Sequence, residues 1–362
     1  MISIWIILTT FIWKANQKID IATVVMKLND TRQYGGLLKY GKYTIEIQQP
    51  INDDKLVTSS GVSQRKAAIG RGWVTVHRIG RLGNNMFQFA ALIAVAKHNN
   101  MTPIYPNETL DGIFNIDRSG NLPHKENNNS FPVTNLNENK SSVYDVGIMK
   151  IVPANTNIRL CCYFQSWKYL VEIQKDLKKQ FTFHSSIDTL ALAFIDEVRK
   201  DMHGKDEITN GTRDMTKRRG DNHVTLIGIH IRRTDMADTE SLNPNKGYVV
   251  APKHYFQKAM EYFRTKFKYV HFIVCSDDIF WAQINIRSSS ATFSIGHSPG
   301  EDLAILSHCD HIIMSTGSFS WWAGWLSGGE VIYYAGWPRP NSELAQRFER
   351  FDYFLPQWKA ML

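Results

Sequence analysis

Two adjacent arginines, Arg232 and Arg233, stand between His230 and Asp235 at the end of an apolar, β-branched run, residues 224–231. Guanidinium forks give paired, charge-assisted hydrogen bonds to phosphate oxygens, so two of them at a buried strand end read as an anion clamp. A second anion site is spelled by Ser315, Thr316, Gly317 and Ser318 with Phe319, which lead into a helical pattern at 319–326. The first backbone N–H groups of a helix are unpaired and attract negative charge. Ser276, Asp277 and Asp278 follow another apolar run, and their carboxylates suit ribose hydroxyls or base N–H groups. Asp278 and Ser318 fit equally well as helix caps. Upstream, the turn Gly80-Arg81-Leu82-Gly83-Asn84-Asn85 precedes an apolar helical pattern and offers Arg81, Asn84, Asn85 and Gln88 to the same ligand. Its glycines also fit a simple tight turn. The spacing G-x-x-G lacks the G-x-G-x-x-G order of dinucleotide binding, which counts against an oxidoreductase.

A phosphate clamp of this kind suits group transfer: it stabilises a departing nucleotide while a base removes a proton from the acceptor hydroxyl. The base candidates are Asp235, Asp238 and Glu240, on the segment leaving the arginines. Asp235 comes first in rank, although its closeness to Arg232 equally suits an orienting carboxylate. Metal assistance is not expected, because Asp235, Asp238 and the Asp277-Asp278 pair form no D-x-D triplet and no Cys/His spacing suggests zinc. No basic stripe interleaved with aromatics points to nucleic acid.

These groups need strand ends to hold them. Residues 224–231, 269–275, 291–295, 311–314 and 331–335 read as strands. Helical patterns intervene at 252–267, in a short helix through Trp281, and at 301–309 and 319–326. Tyr255, Phe256, Ala259, Met260 and Phe263 share one face of the first. Alternation at this spacing predicts βαβ units, a parallel sheet and a Rossmann-like domain over residues 222–340. Ligands bind such sheets outside the carboxyl ends of the strands, where the arginines, Ser276 to Asp278 and Ser315 to Ser318 fall. Residues 71–215 read as an N-terminal, acceptor-side domain, with a strand at 74–76, a turn at 80–85 and a buried helix at 86–97. Residues 121–142, rich in Asn, Pro and Ser, read as a surface loop, and the polar stretch 205–222 as the domain boundary. Residues 15–70 read as a stem or linker, in which 42–48 suit a strand, and 341–362 as a C-terminal segment.

The composition fits a packed enzyme: 362 residues, 43% hydrophobic, with a net charge of +8 that favours anionic ligands. Four cysteines allow two disulfides, but Cys275 and Cys309 end apolar runs and suit buried thiols equally well. Residues 1–13 are apolar except for Ser3, Thr9 and Thr10, and Lys14 ends the run. That is shorter than the about 17–25 residues of a membrane span. Residues 1–14 therefore read as a signal-anchor clipped at its front, with a cleaved signal peptide or a buried segment as alternatives. N-x-[ST] sequons at Asn29, Asn107, Asn128, Asn139 and Asn210 favour a lumenal protein bearing N-glycans.

Four blocks together resemble the galactoside alpha-1,2-fucosyltransferases. They are Gly80-Arg81-Leu82-Gly83-Asn84-Asn85-Met86-Phe87-Gln88-Phe89-Ala90, His230-Ile231-Arg232-Arg233-Thr234-Asp235, the stretch from Ser298 to Ala304 with Ser307-His308-Cys309-Asp310-His311, and Ser315-Thr316-Gly317-Ser318-Phe319 with Trp322-Ala323. The resemblance spans residues 73–337. It implies an α/β, GT-B-like fold of two Rossmann-like domains with the donor crevice between them. It further implies inverting transfer of fucose from GDP-fucose to a glycan hydroxyl, with galactose as the acceptor, no required metal, and a type II membrane protein of the Golgi. By motif position Arg232 would hold the pyrophosphate, supported by His230 and Arg233. Thr234 replaces a glycine common in that family, and the insert 243–250 leaves acceptor preference open. The alternatives are a non-catalytic glycan-binding protein on the same fold and transfer to a protein hydroxyl.

Overall fold

The computed structural model describes residues 37–40, 43–46, 72–105, 109–118, 131–150, 152–209, 224–237 and 246–362. The signal-like segment 1–14, Asp238, Glu240 and the sequon residues Asn29, Asn107, Asn128 and Asn210 lie outside them. Among the described residues no helix is long and apolar enough to cross a membrane. The chain divides into two compact units, Met1–Ser63 and Gln64–Leu362. In the first, β1 (Leu37–Tyr40) and β2 (Tyr43–Glu46) pair antiparallel, with β2 inside the strand expected at 42–48.

The second unit holds two parallel sheets. In the smaller, β3 (Trp73–His77), β4 (Thr102–Ile104), β5 (Val133–Asn137) and β6 (Asn157–Cys161) run in the order β4-β3-β6-β5. Helix α1 (Leu82–Asn99) follows β3 and is apolar nearly all round because it is buried nearly all round. It begins four residues earlier than the pattern suggested, taking in the last four residues of the Gly80–Asn85 turn. Strand β5 corrects the loop expected at 121–142 over part of its length. It is an edge strand with its side chains mostly exposed. Val-Thr-Asn-Leu-Asn therefore carries no buried face for periodicity to report. A 3-10 segment (Trp167–Ile173), α2 (Gln174–Gln180) and α3 (Ser185–Thr209) complete this half. Helix α3 runs into the polar stretch that begins at Lys205.

The larger sheet contains β7 (Thr225–Ile231), β8 (Val270–Ser276), β9 (Ala291–Phe293), β10 (His311–Met314), β11 (Val331–Tyr334) and β12 (Lys359–Met361). All neighbours are parallel, in the order β12-β11-β10-β7-β8-β9. That is the doubly wound order, in which the connections reverse direction between the first strand, β7, and the fourth, β10. The helices are α4 (Thr234–Ala237), α5 (Lys253–Lys266), α6 (Ile279–Asn285), α7 (Pro299–Ser307), α8 (Ser318–Ser327), α9 (Glu343–Gln346) and α10 (Arg350–Tyr353). Residues past 340 enter this sheet through β12, which pairs with β11.

Period-two alternation sorts β7 between two cores. Ile227, Ile229 and Ile231 pack with Tyr255, Phe256, Ala259, Met260 and Phe263 of α5, the helical face read from the sequence. Leu226, on the opposite face, joins a cluster that continues through α7, α8, α1 and the smaller sheet. In it Phe87 of α1 sits 4.6 and 5.0 Å from the rings of Trp321 and Trp322 on α8. The two sheets thus share one apolar core, the two-sheet GT-B-like arrangement that the motifs imply.

Candidate functional site at the two strand-order reversals

Each sheet has a reversal point. In the larger it lies between the ends of β7 and β10, and in the smaller between the ends of β3 and β6. The first is closed by Arg232, whose backbone N–H donates to Ser315 Oγ at 3.0 Å. Its Nε and Nη2 donate to the two oxygens of Asp235 at 2.9 and 2.6 Å. The remaining nitrogen, Nη1, faces Gly317, where a Cβ would lie 2.5 Å from it. Gly317 also has φ +87°, so both backbone and space demand glycine there. Immediately beyond it α8 begins, with its first N–H groups at the same place. Thr316 is fully buried and its Oγ1 has no hydrogen-bond partner. A guanidinium edge set against a helix start suits an anionic, hydrogen-bonding ligand.

His230 lies beneath this clamp, on the face of β7 opposite the isoleucines. Its Nδ1 is 2.5 Å from Ser320 Oγ, and its ring lies 4.6 Å from that of Phe319. Burial, and then the charge of Arg232, pushes its pKa down to about 3. It is a neutral imidazole that supports α8 rather than adding positive charge.

The groups around β8 are engaged elsewhere. Asp277 accepts from the backbone N–H of Arg233 at 2.7 Å and from the N–H and hydroxyl of Thr234 at 3.3 and 2.7 Å, anchoring α4. Ser276 Oγ accepts from the Asp278 N–H, and Asp278 caps α6 by accepting from Trp281 N–H, both at 3.0 Å. Arg233 lays its guanidinium 4.0 Å from the centroid of the Trp281 ring, with Nε 3.5 Å from Asp278. Arg232 and Arg233 therefore part company. The first borders the helix start, and the second braces the β7–β8 edge.

The Gly80–Asn85 turn meets α8 directly. A Cβ on Gly83 would lie 2.6 Å from both the Phe319 nitrogen and the Ser318 carbonyl carbon. Trp322 Nε1 donates to Gly83 O at 3.0 Å. Asn84 Oδ1 accepts from Ser318 Oγ at 2.6 Å and from Gln165 Nε2 at 2.7 Å, joining the ends of β3, β6 and β10. Arg81 is mostly exposed and reaches Asp235, 3.5 Å away. Asn85 is buried, its Oδ1 without a hydrogen-bond partner. Gln88 holds the second reversal point, donating to Ile79 O and Cys162 O at 3.1 Å. The structure thus gathers Arg81, Asn84, Arg232, Asp235, Ser315, Thr316, Ser318 and Phe319 in one place.

Hydrogen bonding to Arg232 holds the Asp235 carboxyl below the ordinary carboxylate range despite its partial burial. A carboxylate so paired is a weak proton acceptor. The sequence reading missed Tyr248, whose phenol is pushed up by burial and by Tyr163, and which feels the charges of Arg232 and Asp235. It also missed Glu138, Tyr163 and Gln165. Three of them follow unread strands and Tyr248 lies within the insert 243–250, so no motif marked them. Among the described residues no group of three or more His, Cys, Asp or Glu side chains is placed to hold a metal, and all four cysteines are free.

The family described as Glycosyl transferase family 11 matches residues 42–361. Galactoside alpha-(1,2)-fucosyltransferase 2 of Sus scrofa is 31% identical over 324 residues, 86% of either chain. The protein of that name from Rattus norvegicus is 32% identical over 302 residues, 80% of this chain and 76% of its own. Galactoside alpha-(1,2)-fucosyltransferase 1 of Leontocebus fuscicollis is 29% identical, covering 83% and 78%. Among solved structures, NodZ alpha-1,6-fucosyltransferase soaked with GDP-fucose aligns with a TM-score of 0.47 at 17% identity, over 73% of this chain and 95% of that one. That likeness is too loose to bear on function. The match over residues 42–361, with relatives above 30% identity along most of the chain, means that the chain belongs to glycosyl transferase family 11 and is a glycosyltransferase.

Proposed function

We propose that the protein transfers L-fucose from GDP-fucose to a glycan hydroxyl with inversion, in alpha-1,2 linkage to galactose. The observation that carries this is the Arg232 Nη1 edge set against the Gly317–Ser318 helix start. That pair suits the donor's pyrophosphate. In the reaction the bond from fucose C1 to the β-phosphate oxygen breaks, and its electron pair leaves with GDP. The acceptor oxygen forms the new C1–O bond from the opposite face, and its proton passes to a base. Charge accumulating on the departing phosphate is met by Arg232 and the N-terminus of α8, which are already in place before it develops. Preorganised positive charge does this without a metal.

Asp235 serves the clamp in this scheme. Its bidentate grip fixes the guanidinium plane, and its contact with Arg81 ties the two halves at the donor. Glu240, further along the same segment, then takes the base role. The sequons and the apolar N-terminal run support a lumenal protein held to the Golgi membrane. The test is to supply the chain with several GDP- and UDP-sugars and a glycan panel and to determine the product linkage. An alpha-1,2-fucosyl product is expected. Binding of GDP-fucose without turnover would favour a glycan-binding protein instead, and a product only on protein hydroxyls would move the acceptor class.

A further inference from the structure

The connection leaving β6 carries more conformational strain than its position alone requires. Cys162 has φ 130° and Phe164 φ 54°, so two non-glycine residues with positive φ flank Tyr163. Phe164 is also fully buried, where a bulky side chain in left-handed backbone is unusual. Strain of this kind persists only where neighbours over-determine it, and it gathers at functional sites.

The neighbours are identifiable. Glu138, directly after β5 and only 6% exposed, accepts through Oε1 from the backbone N–H groups of Tyr163 and Phe164 at 2.8 and 2.9 Å. Its Oε2 accepts from Phe164 N–H at 3.0 Å. Gln88 fixes the carbonyl of Cys162 from the other side, and Gln165 is held on Asn84, which also carries Ser318. Tyr163, between the two strained residues, is half-buried and lies within electrostatic reach of Tyr248. Tyr248 in turn feels Arg232 and Asp235. A buried side chain thus fixes the backbone of a turn that carries Tyr163 and Gln165, the latter joined through Asn84 to Ser318.

We infer that Glu138 is a positioning residue for the acceptor: it locks the Cys162–Gln165 turn so that Tyr163, with Tyr248, forms the surface that orients the incoming sugar. Phenols suit that task, since each offers a flat apolar face and a hydroxyl that both donates and accepts. Burial raises the Glu138 carboxyl to about 7 against the pull of the two backbone N–H bonds, and Asp145 raises it further. The other titratable groups around it are Cys162 and Tyr169, and Arg347 acts on Cys162.

This inference rests on the donor-and-acceptor reading of the site, and its test separates the two. The full chain would be assayed with GDP-fucose and lactose, following KM for lactose, kcat, and GDP affinity by calorimetry. Glu138→Ala should raise the lactose KM by about tenfold, while GDP affinity stays within about twofold of wild type, as loss of preorganisation acts on the acceptor alone. Glu138→Gln keeps an amide oxygen for both N–H groups and should restore most of the acceptor KM. Tyr163→Phe, which leaves the backbone intact, should raise the lactose KM about two- to tenfold, the scale of one lost hydrogen bond, and keeps the question open to test if the alanine variant fails to fold. An unchanged lactose KM in Tyr163→Phe and in whichever Glu138 variant folds overturns the inference. So does loss of kcat in both Glu138 variants with the lactose KM retained, which would make Glu138 the proton acceptor. Absence of any transfer by the wild-type protein would remove the reading of the site, and this inference with it.

Discussion

Gly83 is a position where local propensity and tertiary packing point in opposite directions, so Gly83→Ala tests the two-sheet junction. It is the second residue of α1, and replacing glycine by alanine inside a helix gains about 1 kcal/mol in isolation. In the folded chain the new Cβ would sit 2.6 Å from two backbone atoms of α8, the Phe319 nitrogen and the Ser318 carbonyl carbon. Ordinary contact begins at 3.4 Å, so the helices must part by 3.4 minus 2.6, or 0.8 Å. Backbone cannot swing aside as a side chain can. The same displacement stretches the Asn84–Ser318 bond from 2.6 Å and the Trp322–Gly83 bond from 3.0 Å, both toward lengths at which they no longer count. Overpacking costs about 1–3 kcal/mol and each lost hydrogen bond about 1, against the gain of about 1, for a net loss of about 2–4 kcal/mol. Urea unfolding should show the midpoint falling with the slope unchanged, and calorimetry should show weaker GDP binding because α8 carries the proposed phosphate site. A midpoint equal to or above wild type would refute the junction and leave only helix propensity.

Arg232→Ala should lower kcat by about a hundredfold or more, the usual loss on removing one preorganised donor to developing charge, and Arg232→Lys should not rescue it, because an ammonium cannot both grip Asp235 and face Gly317. Near-normal turnover with normal GDP affinity would sink that assignment. Transfer should persist in excess chelator; activity lost there and restored by manganese or magnesium would mean that the positive charge comes from elsewhere. Asp235→Asn should weaken GDP binding, whereas Glu240→Gln should spare it and remove the acidic limb of the pH–rate profile. The opposite pattern would return the base role to Asp235. The Asp235 carboxyl is depressed in the folded state, so its contribution to stability is complete above the ordinary carboxylate pKa and is lost only as pH falls through the lower folded value. The acid arm of unfolding should therefore move toward neutral pH when Arg232 is replaced by Ala.

Much of the larger sheet was legible because its strands are buried on both faces and its helices are one-sided. The run 224–231 and the face Tyr255, Phe256, Ala259, Met260 and Phe263 leave little room for another reading. The smaller sheet was not legible to the same degree. Strand β5 is polar because it lies at an exposed edge; in the larger sheet β12, three residues with no periodicity of its own and recruited by pairing with β11, was likewise unread. Site residues divide the same way. Arg232, Ser315 and Ser318 sit at motif positions after readable strands, but Glu138 and Tyr163 follow strands with no such signal.

The order of residue types along the chain therefore determined the parallel α/β class, the strand ends that hold polar groups and the family. It also determined that arginines and a helix start would stand at the strand ends, since each depends on neighbours within a few positions. Which of two adjacent arginines borders the helix start, what each aspartate pairs with, and whether a glycine serves a turn or a contact were decided only in three dimensions. Arg233 is drawn off by Trp281, Asp277 by the backbone of Thr234, and Gly83 is pinned by α8 from more than two hundred residues away. Partners this distant leave no periodic or compositional trace, because a contact between separate elements depends on how the sheets pack rather than on what lies beside a residue in the chain.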